Sequence, residues 1–524
     1  MGISGYIEIL LPELLLLVGA CVVLFAGAGR SSLSRWLGSP ASVLFVFAAL
    51  LYTLWQGPLD ANGQVPGLLL TPFVHYVRIG GLIVGLFVLL CNLHLPVAEE
   101  RGEFLAMILF SLCGVLLTAA ANDLIVLFFA IELVSVPTYV LVALSREDKR
   151  ASEASLKYFF LGAVAAALMV YGFSFLYGSM GGYVTLQAYD DQPAMSTFAA
   201  ATSGYGIYAV IGLLLAFAGI FFKIAAVPFH VYAPDVYEGA ASPITGLLGF
   251  FPKMAGFVAA VKLLAVFGWD VSPAVLWLLW IVAALTMTVG NTLALLQTNV
   301  KRILAYSSIA HSGYMLIALL AGPAAAGDGP MRDGVAAMLF YIVVYGTMNL
   351  GAFAVLSSLS NNGKPVEELS EIEGLSTKRP ALALALAICC FSLMGFPPTA
   401  GLLGKVYVFS SAFSVGEGHP FGGPLIVLAV IGVINSAIGA AYYLRIVAAC
   451  YNKSPRITPQ RQGGATLGLG IALCSLAMLV LFAWPSGLAG QAKKAAAHLL
   501  DKPDGVEVAV VDTTPVDMPA DVNP

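Results

Sequence analysis

Five ionisable residues lie within long apolar stretches of the sequence: Glu132, Lys223, Lys253, Lys262 and Lys405. An ionisable side chain near the centre of a bilayer costs at least about 2.5–3.5 kcal/mol on insertion scales, so such residues usually serve a function. Burial disfavours the charged form of each group, whereas pairing of a lysine with a glutamate favours it. A buried pair can therefore gain or lose a proton near neutral pH, and these residues predict a proton relay.

These five residues are not equally strong candidates for the relay. Lys262 lies near the end of its apolar stretch and can extend to the membrane interface, so we leave it out of the relay. Glu132 can also be explained as a structural partner of a lysine. A helical histidine such as His311 is more often a hydrogen-bonded packing residue, although its titration range suits a relay. The predicted proton-transfer residues are Glu132, Lys223, Lys253 and Lys405, with His311 as a candidate relay.

Two proline-containing interruptions accompany the buried lysines. Pro228 lies five residues after Lys223 and frees the carbonyl of Ile224 from its intrahelical hydrogen bond. In lipid, a freed carbonyl is tolerated only where protein or cavity water satisfies it. The sequence Gly-Phe-Pro-Pro at 395–398 forms a matching interruption just before Lys405. Broken helices that carry buried charge are typical of ion sites in transporters built from repeats.

The composition shows what must surround these residues. Of 524 residues, 59% are hydrophobic and 10% are charged, whereas a soluble protein has about 25% charged residues. The bilayer is therefore the predicted solvent for an all-α polytopic membrane protein. The net charge of −4, without a basic cluster, argues against nucleic acid as a partner. The seven cysteines form no CxxC pair or metal-ligand spacing, so no metal site is predicted.

A helix needs about 20 apolar residues to cross the hydrocarbon, and this criterion predicts about fourteen spans. They cover residues 9–27, 40–56, 73–94, 103–120, 123–144, 155–178, 205–230, 243–267, 274–296, 301–321, 334–359, 380–413, 422–451 and 465–484. The first span follows Glu8 where a signal peptide would carry basic residues, so we expect it to be retained. Residues 485–524 are polar and are predicted to form a loose tail.

Basic residues concentrate in the loops on one side of the predicted spans, which we call the basic side. They are Arg30, Arg35, Arg101, Arg146, Lys149, Arg150, Lys157, Lys301, Arg302, Lys364, Lys378, Arg379, Lys453, Arg456 and Arg461. The opposite loops carry Arg332 and the aspartates Asp60, Asp190, Asp191, Asp270 and Asp328. The positive-inside rule makes the basic side cytoplasmic, so both termini are predicted to face away from the cytoplasm.

The sequence also contains a trace of internal repetition. Residues 137–144, PTYVLVAL, resemble residues 312–319, SGYMLIAL, and four positions coincide. With the two interruptions, this similarity suggests halves centred on spans five to seven and ten to twelve. His311 then lies in the region of the second half that corresponds to Glu132 in the first.

Several motifs resemble one family, the subunit N family of proton-pumping NADH:quinone oxidoreductase (respiratory complex I), whose members are antiporter-like membrane subunits. The resemblance covers nearly the whole chain, and its most specific part is FKIAAVPFH at 222–230, continued by APDVYEGA at 233–240. Further matches are IEL at 131–133, KRILAYSSIAH at 301–311 and GFPP at 395–398. Tyr232 stands where the family often has tryptophan.

The resemblance implies fourteen transmembrane helices with two inverted five-helix repeats and two broken helices. The implied parts are 1–102 for helices 1–3, 103–267 and 274–451 for the two repeats, 465–484 for helix 14, and 485–524 for the tail. By motif, Glu132 and Lys223 are the interacting pair of the first half-channel. Lys253 is the central relay, and Lys405 is the terminal lysine of the second half-channel.

The predicted function is proton translocation within an NADH:quinone oxidoreductase in a bacterial inner membrane, alongside other membrane subunits. The resemblance places NAD, FMN, the iron–sulfur clusters and quinone on partner subunits, and the sequence contains no GxGxxG after a strand and no P-loop. Two alternatives remain open from the residues alone. One is a subunit of a multi-subunit cation/proton antiporter, and the other is a structural membrane subunit without a proton path. The electron donor of the predicted complex is not encoded in this subunit, so a membrane-embedded hydrogenase or a ferredoxin-linked version of the complex is compatible with the same residues.

Overall fold

The fold was analysed in a computed structural model of the chain. The structure describes residues 7–29, 32–58, 64–65, 67–95, 101–145, 149–182, 185–186, 195, 206–269, 271–323, 332–415, 421–457 and 459–499. The predicted loop residues Asp60, Asp190, Asp191, Asp270, Asp328, Arg30 and Arg146 lie outside these ranges, as do residues 500–524 of the predicted tail.

Helices dominate the described part of the chain. Those of the first half are α1 (Leu11–Gly27), α2 (Ser32–Gln56), α3 (Pro72–Asn92), α4 (Arg101–Ala120), α5 (Leu124–Leu144), α6 (Lys149–Ser179), α7 (Ile207–Lys223), α8 (Ala233–Gly239), α9 (Ser242–Leu248) and α10 (Phe251–Val266). Those of the second half are α11 (Pro273–Leu295), α12 (Val300–Ala321), α13 (Gly334–Ser357), α14 (Leu375–Lys378), α15 (Pro380–Met394), α16 (Ala400–Phe413), α17 (Gly422–Asn452), α18 (Gly464–Ala483) and α19 (Ser486–Ala497).

Short strands lie only in the connections of the described chain. The strands β1 (Gln64–Val65) and β2 (Leu68–Leu69) pair antiparallel. The strands β3 (Leu359–Asn361), β4 (Lys364–Pro365) and β5 (Gln460–Arg461) form a second sheet in the order β4-β3-β5. A 3₁₀ turn spans Leu369–Ile372. The second sheet ties the loop after α13 to the loop before α18, both on the basic side.

Each of the predicted spans coincides with helix, which confirms the polytopic all-α class. Within the described ranges, eleven helices are long and apolar enough to cross a membrane, with α9 and α10 counted together, and α1, α7, α15 and α16 are shorter apolar helices. Several helices begin at side-chain caps: Asp123 accepts from the amide of Ile125 at 2.6 Å, and Asp333 from that of Ala336 at 2.8 Å.

Both predicted interruptions are present. The helix α7 ends at Lys223, and helix resumes only at α8; α15 ends at Met394, and α16 begins at Ala400. A third interruption was not predicted: the span 243–267 is divided between α9 and α10 at Gly249 and Phe250. The helix α13 lies at the centre and is buried throughout, packed against α9, α12, α15, α16, α18, α19 and α3. The boundaries of the two inverted repeats stay a prediction.

The prediction of a loose tail from residue 485 is wrong for its first part. Ser486–Ala497 form α19, which packs on α3 and α13. The segment is rich in alanine, the best helix former, and Ala489, Ala492 and Ala496 recur at helical spacing on the buried face. The low hydrophobicity that suggested disorder reflects small side chains that allow close helix packing.

Candidate functional site

Lys223 and Glu132 form a direct ion pair between α7 and α5. Lys223 Nζ lies 2.8 Å from Glu132 Oε1 and also donates to Ser135 Oγ at 2.8 Å. Ser135 lies three residues after Glu132 and therefore on the same face of α5. The lysine side chain is only 3% exposed, whereas the glutamate is 18% exposed. The structure thus brings together the two residues that the sequence analysis paired.

Lys253 lies near the start of α10 and is bound by α12. Its Nζ donates to the carbonyl oxygen of Ser308 and to Ser312 Oγ, the latter at 2.8 Å. Ser312 Oγ in turn donates to the carbonyl oxygen of Ile224 at 2.5 Å. The carbonyl freed by the interruption after α7 is therefore satisfied by protein, as its position in lipid requires. Because Ile224 directly follows Lys223, this serine connects the environments of the two lysines.

Lys405 lies one turn into α16 and faces back toward the interruption. Its Nζ donates to the carbonyl oxygen of Met394 at 2.9 Å and to Ser436 Oγ of α17 at 2.8 Å. The amine also lies 5.0 Å from the ring centroid of Tyr314, within the range of a cation–π contact. Each bond of this lysine is thus made to a neutral group.

His311 lies on α12 between the two lysines. Its Nδ1 is 2.7 Å from Tyr341 Oη and its Nε2 is 3.0 Å from Tyr443 Oη. Tyr443 Oη also hydrogen-bonds Ser307 Oγ. The His311 ring lies 5.0 Å from the ring of Tyr345 and 5.5 Å from that of Tyr314, which contact the amines of Lys253 and Lys405 respectively. Both ring nitrogens therefore contact hydroxyl groups, which can donate or accept a proton according to the tautomer.

A neutral polar network extends from Lys405 across α11 and α17. Tyr314 Oη accepts from Asn291 Nδ2 at 3.0 Å, and Tyr442 Oη donates to Asn291 Oδ1 at 3.0 Å. Asn291 also lies 3.5 Å from Asn435 Oδ1. Sequence reasoning missed these tyrosines and asparagines, because such residues are common in membrane helices and only their convergence distinguishes them.

Lys262, which the sequence analysis set aside, lies apart from these contacts. Its Nζ donates to the carbonyl oxygen of Ala121 at 2.7 Å. Ala121 directly follows α4 on the side of the membrane opposite the basic side. The amine therefore binds the end of a neighbouring helix.

A buried ion pair between α1 and α3 was not predicted. Arg78 Nε lies 2.7 Å from Glu13 Oε1, and its second nitrogen donates to Oε2 at 2.8 Å. Both side chains are buried. Arg78 interrupts the third apolar stretch and could have been noticed there, but its partner lies in a distant span. This bidentate pair joins two N-terminal helices, whereas Lys223, Lys253 and Lys405 lie on α7, α10 and α16.

Charged residues on the basic side connect the two halves of the chain through α8. Asp235 of α8 accepts from Lys157 of α6 and from Arg302 of α12, each at 3.1 Å. Partial burial opposes ionisation, but hydrogen bonds from these two cations keep the pKa of the Asp235 carboxyl below its usual value. Glu238 pairs with Arg302 at 2.7 Å. The helix between the first interruption and α9 is thus held to both halves.

The described residues contain no cluster of three or more His, Cys, Asp or Glu side chains that could hold a metal ion. What they contain instead is a series of buried amines, each bound to hydroxyls or carbonyls of a neighbouring helix. This arrangement can bind, hold and release protons.

Residues 121–439 match the family model described as NADH:quinone oxidoreductase/Mrp antiporter, TM. A protein of Trichlorobacter lovleyi named NADH-quinone oxidoreductase subunit N is 39% identical over 85% of this chain and 88% of its own length. A protein of Rhodospirillum rubrum with the same name is 35% identical over 93% of this chain and 96% of its own length. The chain belongs to the NADH-quinone oxidoreductase subunit N family.

Membership of this antiporter-like family confirms the resemblance found in the motifs. Among solved structures, a chain of respiratory complex I from Thermus thermophilus superposes with a TM-score of 0.74 at 29% identity, covering 91% of this chain and 98% of that one. A chain of the Mrp complex from Dietzia superposes with a TM-score of 0.77 at 19% identity, covering 95% of this chain and 98% of that one. The second similarity shows a shared fold only.

Proposed function

We propose that this chain is a proton-translocating membrane subunit of an NADH:quinone oxidoreductase. The observation that carries the proposal is the series of three buried amines, each beside an interruption in a helix. Lys223, paired with Glu132, directly precedes Ile224, whose carbonyl accepts from Ser312 Oγ, and the same hydroxyl accepts from Lys253. His311 neighbours Ser312 on α12, and its ring lies 5.5 Å from that of Tyr314, over which the Lys405 amine lies.

The Glu132–Lys223 pair is the proposed switch of this relay. Two opposite charges at 4 Å interact by about 4 kcal/mol at an effective dielectric of about 20. That energy corresponds to about a thousandfold change in proton affinity. A closed pair therefore holds Lys223 protonated, and a separated pair releases its proton toward Lys253. Glu132 suits this role because it is the more exposed partner and can move without opening the protein core.

The second half of the relay passes the proton from Lys253 to Lys405. His311 is the proposed intermediate, since Tyr341 and Tyr443 hydroxyls contact its two ring nitrogens and can compensate for a change of tautomer. Lys405 binds only neutral groups, so its charged form gains less from its surroundings than that of Lys223. The terminal lysine is therefore suited to releasing its proton.

We propose that partner subunits supply the energy for this cycle. NAD, FMN, iron–sulfur clusters and quinone are assigned to those partners, and this chain contributes no redox site. The basic side is assigned to the cytoplasm of a bacterial cell, with protons released opposite and with both termini on that opposite side. The neighbours of this chain are other membrane subunits, including antiporter-like ones.

Purification of the tagged chain from its native membrane distinguishes the proposal from an antiporter. We expect the chain to co-purify with subunits that oxidise NADH and reduce quinone in a coupled manner. Purification with cation/proton antiporter subunits alone, without NADH oxidation, would contradict the proposal. The relatives at 35–39% identity favour the oxidoreductase, whereas the Mrp chain is similar in fold at only 19% identity.

A further inference from the structure

Two polar side chains on the central helix α13 are buried without a protein partner in the described part of the chain. They are Tyr345, through its hydroxyl, and Asn349, through both atoms of its amide. The two residues lie four positions apart and therefore on one face of the helix. Buried polar groups are almost always hydrogen-bonded, and where protein supplies no partner, bound water commonly does. This face is therefore suited to holding water.

The face lies against Lys253 and extends from it toward the basic side. Lys253 Nζ is 5.4 Å from the ring centroid of Tyr345. Asn349 is one turn closer to the basic side and packs on Gly249, which precedes Lys253 by four residues. A Cβ atom on Gly249 would lie 2.1 Å from Asn349 Nδ2, so only glycine admits the amide at this position.

The third interruption adds a backbone group to the same place. Pro252 has no amide hydrogen, so it cannot donate to the carbonyl of Leu248 as a regular helix would require. Leu248 ends α9, directly before Gly249. The break between α9 and α10 therefore leaves the Leu248 carbonyl without this amide donor, one residue before the glycine on which Asn349 packs.

Hydroxyl groups lead from this place to the surface. The Tyr345 hydroxyl lies close to Ser308 but lacks hydrogen-bond geometry. Ser308 Oγ is 3.3 Å from Tyr237 Oη of α8, and the Ser308 carbonyl accepts from Lys253. Tyr237 adjoins Glu238, whose side chain is 28% exposed. Polar groups therefore occur at each step from the exposed carboxylate to the buried amine.

We propose that Asn349, Tyr345, Tyr237 and Ser308, the uptake cluster, hold the water through which Lys253 receives protons from the basic side. This inference rests on the proposed function and adds to it: besides the proton that Lys223 releases, Lys253 takes up protons from the aqueous phase of the basic side. A protonated water chain gives one proton to the neutral amine and regains one from the aqueous phase, so only O–H and N–H bonds change. Asn349 and Tyr345 are positioning residues that orient the water.

Substitutions at Asn349 separate this role from packing. Leucine has a similar size but cannot bind water, whereas aspartate keeps two polar atoms that can. Because the amide makes no hydrogen bond with the described protein, its removal should not impair assembly. In sealed vesicles with the intact complex, we expect Asn349→Leu to lower the rate of proton pumping by about tenfold, or about 1.4 kcal/mol in barrier height. Asn349→Asp should pump within about twofold of wild type, a loss of under 0.5 kcal/mol.

A substitution at Tyr345 provides a second, independent test of the uptake cluster. Tyr345→Phe should slow pumping in the same way, because it removes the hydroxyl that faces the cluster. Tyr76→Phe is the matched control: Tyr76 is equally buried, and its hydroxyl donates to the Leu339 carbonyl of α13 at 3.0 Å, away from Lys253. Its pumping rate should be unchanged once corrected for the amount of assembled complex.

Two results would overturn the inference: wild-type pumping by Asn349→Leu, or equal losses in Asn349→Leu and Asn349→Asp, which would indicate packing. A Lys253→Ala variant measured in parallel separates this inference from the proposed function. If Lys253→Ala pumps normally, the relay itself is wrong. If Lys253→Ala fails to pump while Asn349→Leu pumps normally, the relay stands and the uptake cluster is wrong.

Discussion

Lys405 Nζ donates a hydrogen bond to the carbonyl oxygen of Met394, 2.9 Å away, across the interruption between α15 and α16. A proline four residues beyond Met394 cannot donate an amide hydrogen to that carbonyl, so the broken helix itself supplies the acceptor. At the first interruption the freed carbonyl of Ile224 accepts from Ser312, which also binds a buried lysine. Both interruptions thus provide backbone oxygens to the relay.

Gly395 controls the position of Lys405. It adopts φ +84°, and a Cβ atom there would lie 3.0 Å from Lys405 Cδ. Gly395→Ala should destabilise the break by roughly 1–2 kcal/mol through its left-handed backbone. It should also displace the lysine and reduce proton pumping per complex. Gly423→Ala, where a Cβ atom meets nothing within 4 Å, is the control for pumping in vesicles. Equal pumping by both variants would contradict the role of Gly395.

Ser312→Ala removes the hydroxyl between Lys253 and the Ile224 carbonyl. An unsatisfied buried carbonyl costs about 1–3 kcal/mol, so we expect lower thermal stability as well as slower pumping. Ser312→Thr keeps the hydroxyl and should retain most of the rate. The serine control is Ser410→Ala, whose exposed hydroxyl bonds only its own helix. If Ser312→Ala pumps as fast as this control, the link between the two lysines carries no protons.

His311→Phe keeps a planar ring but removes both nitrogens. If His311 carries the proton between Lys253 and Lys405, pumping should fall by about 10²-fold, the lower range for loss of a proton-transfer group. Quinone reduction should fall by less than pumping, so the number of protons translocated per electron should drop. Both rates are measured in the same vesicles. Unchanged pumping would make His311 a packing residue, which is the alternative that the sequence leaves open.

The Arg78–Glu13 pair should contribute to stability and not to pumping. Arg78→Met leaves a buried carboxylate unpaired, which costs about 3–5 kcal/mol, so we expect little assembled complex. The double variant Arg78→Met/Glu13→Leu removes both charges and should assemble far better. Blue-native electrophoresis and thermal inactivation measure this difference. If the double variant assembles normally but pumps fewer protons per assembled complex, the pair instead belongs to the proton path.

The buried charges and the helix breaks could be predicted because each leaves a local signal. A lysine inside an apolar run, such as Lys223 or Lys405, is unusual by itself, and a proline marks the carbonyl that it frees. The sequence predicts that the Ile224 carbonyl needs a hydrogen-bond donor. It does not predict that Ser312 is this donor. A serine costs little free energy in a membrane helix, so its presence at a given position does not indicate which group it binds.

Features that depend on contacts between distant segments were not predictable from the sequence. Asn349 and Tyr345 look like ordinary residues of an apolar helix until α13 is placed against Gly249. The break at Gly249 was not predicted, because a proline inside an apolar span, here Pro252, often kinks a membrane helix without dividing it. The helix α19 was not predicted, because its buried face consists of alanines, which are too weakly hydrophobic to produce a clear apolar periodicity.

The central claim is that the Glu132–Lys223 pair carries protons. The most direct measurement is the ratio of protons translocated to electrons transferred in sealed vesicles that contain the Lys223→Ala complex. Lys157→Ala, an exposed lysine on the basic side that also pairs with carboxylates, is the control. We expect a lower ratio for Lys223→Ala and the wild-type ratio for Lys157→Ala. A wild-type ratio in an assembled Lys223→Ala complex would contradict the account.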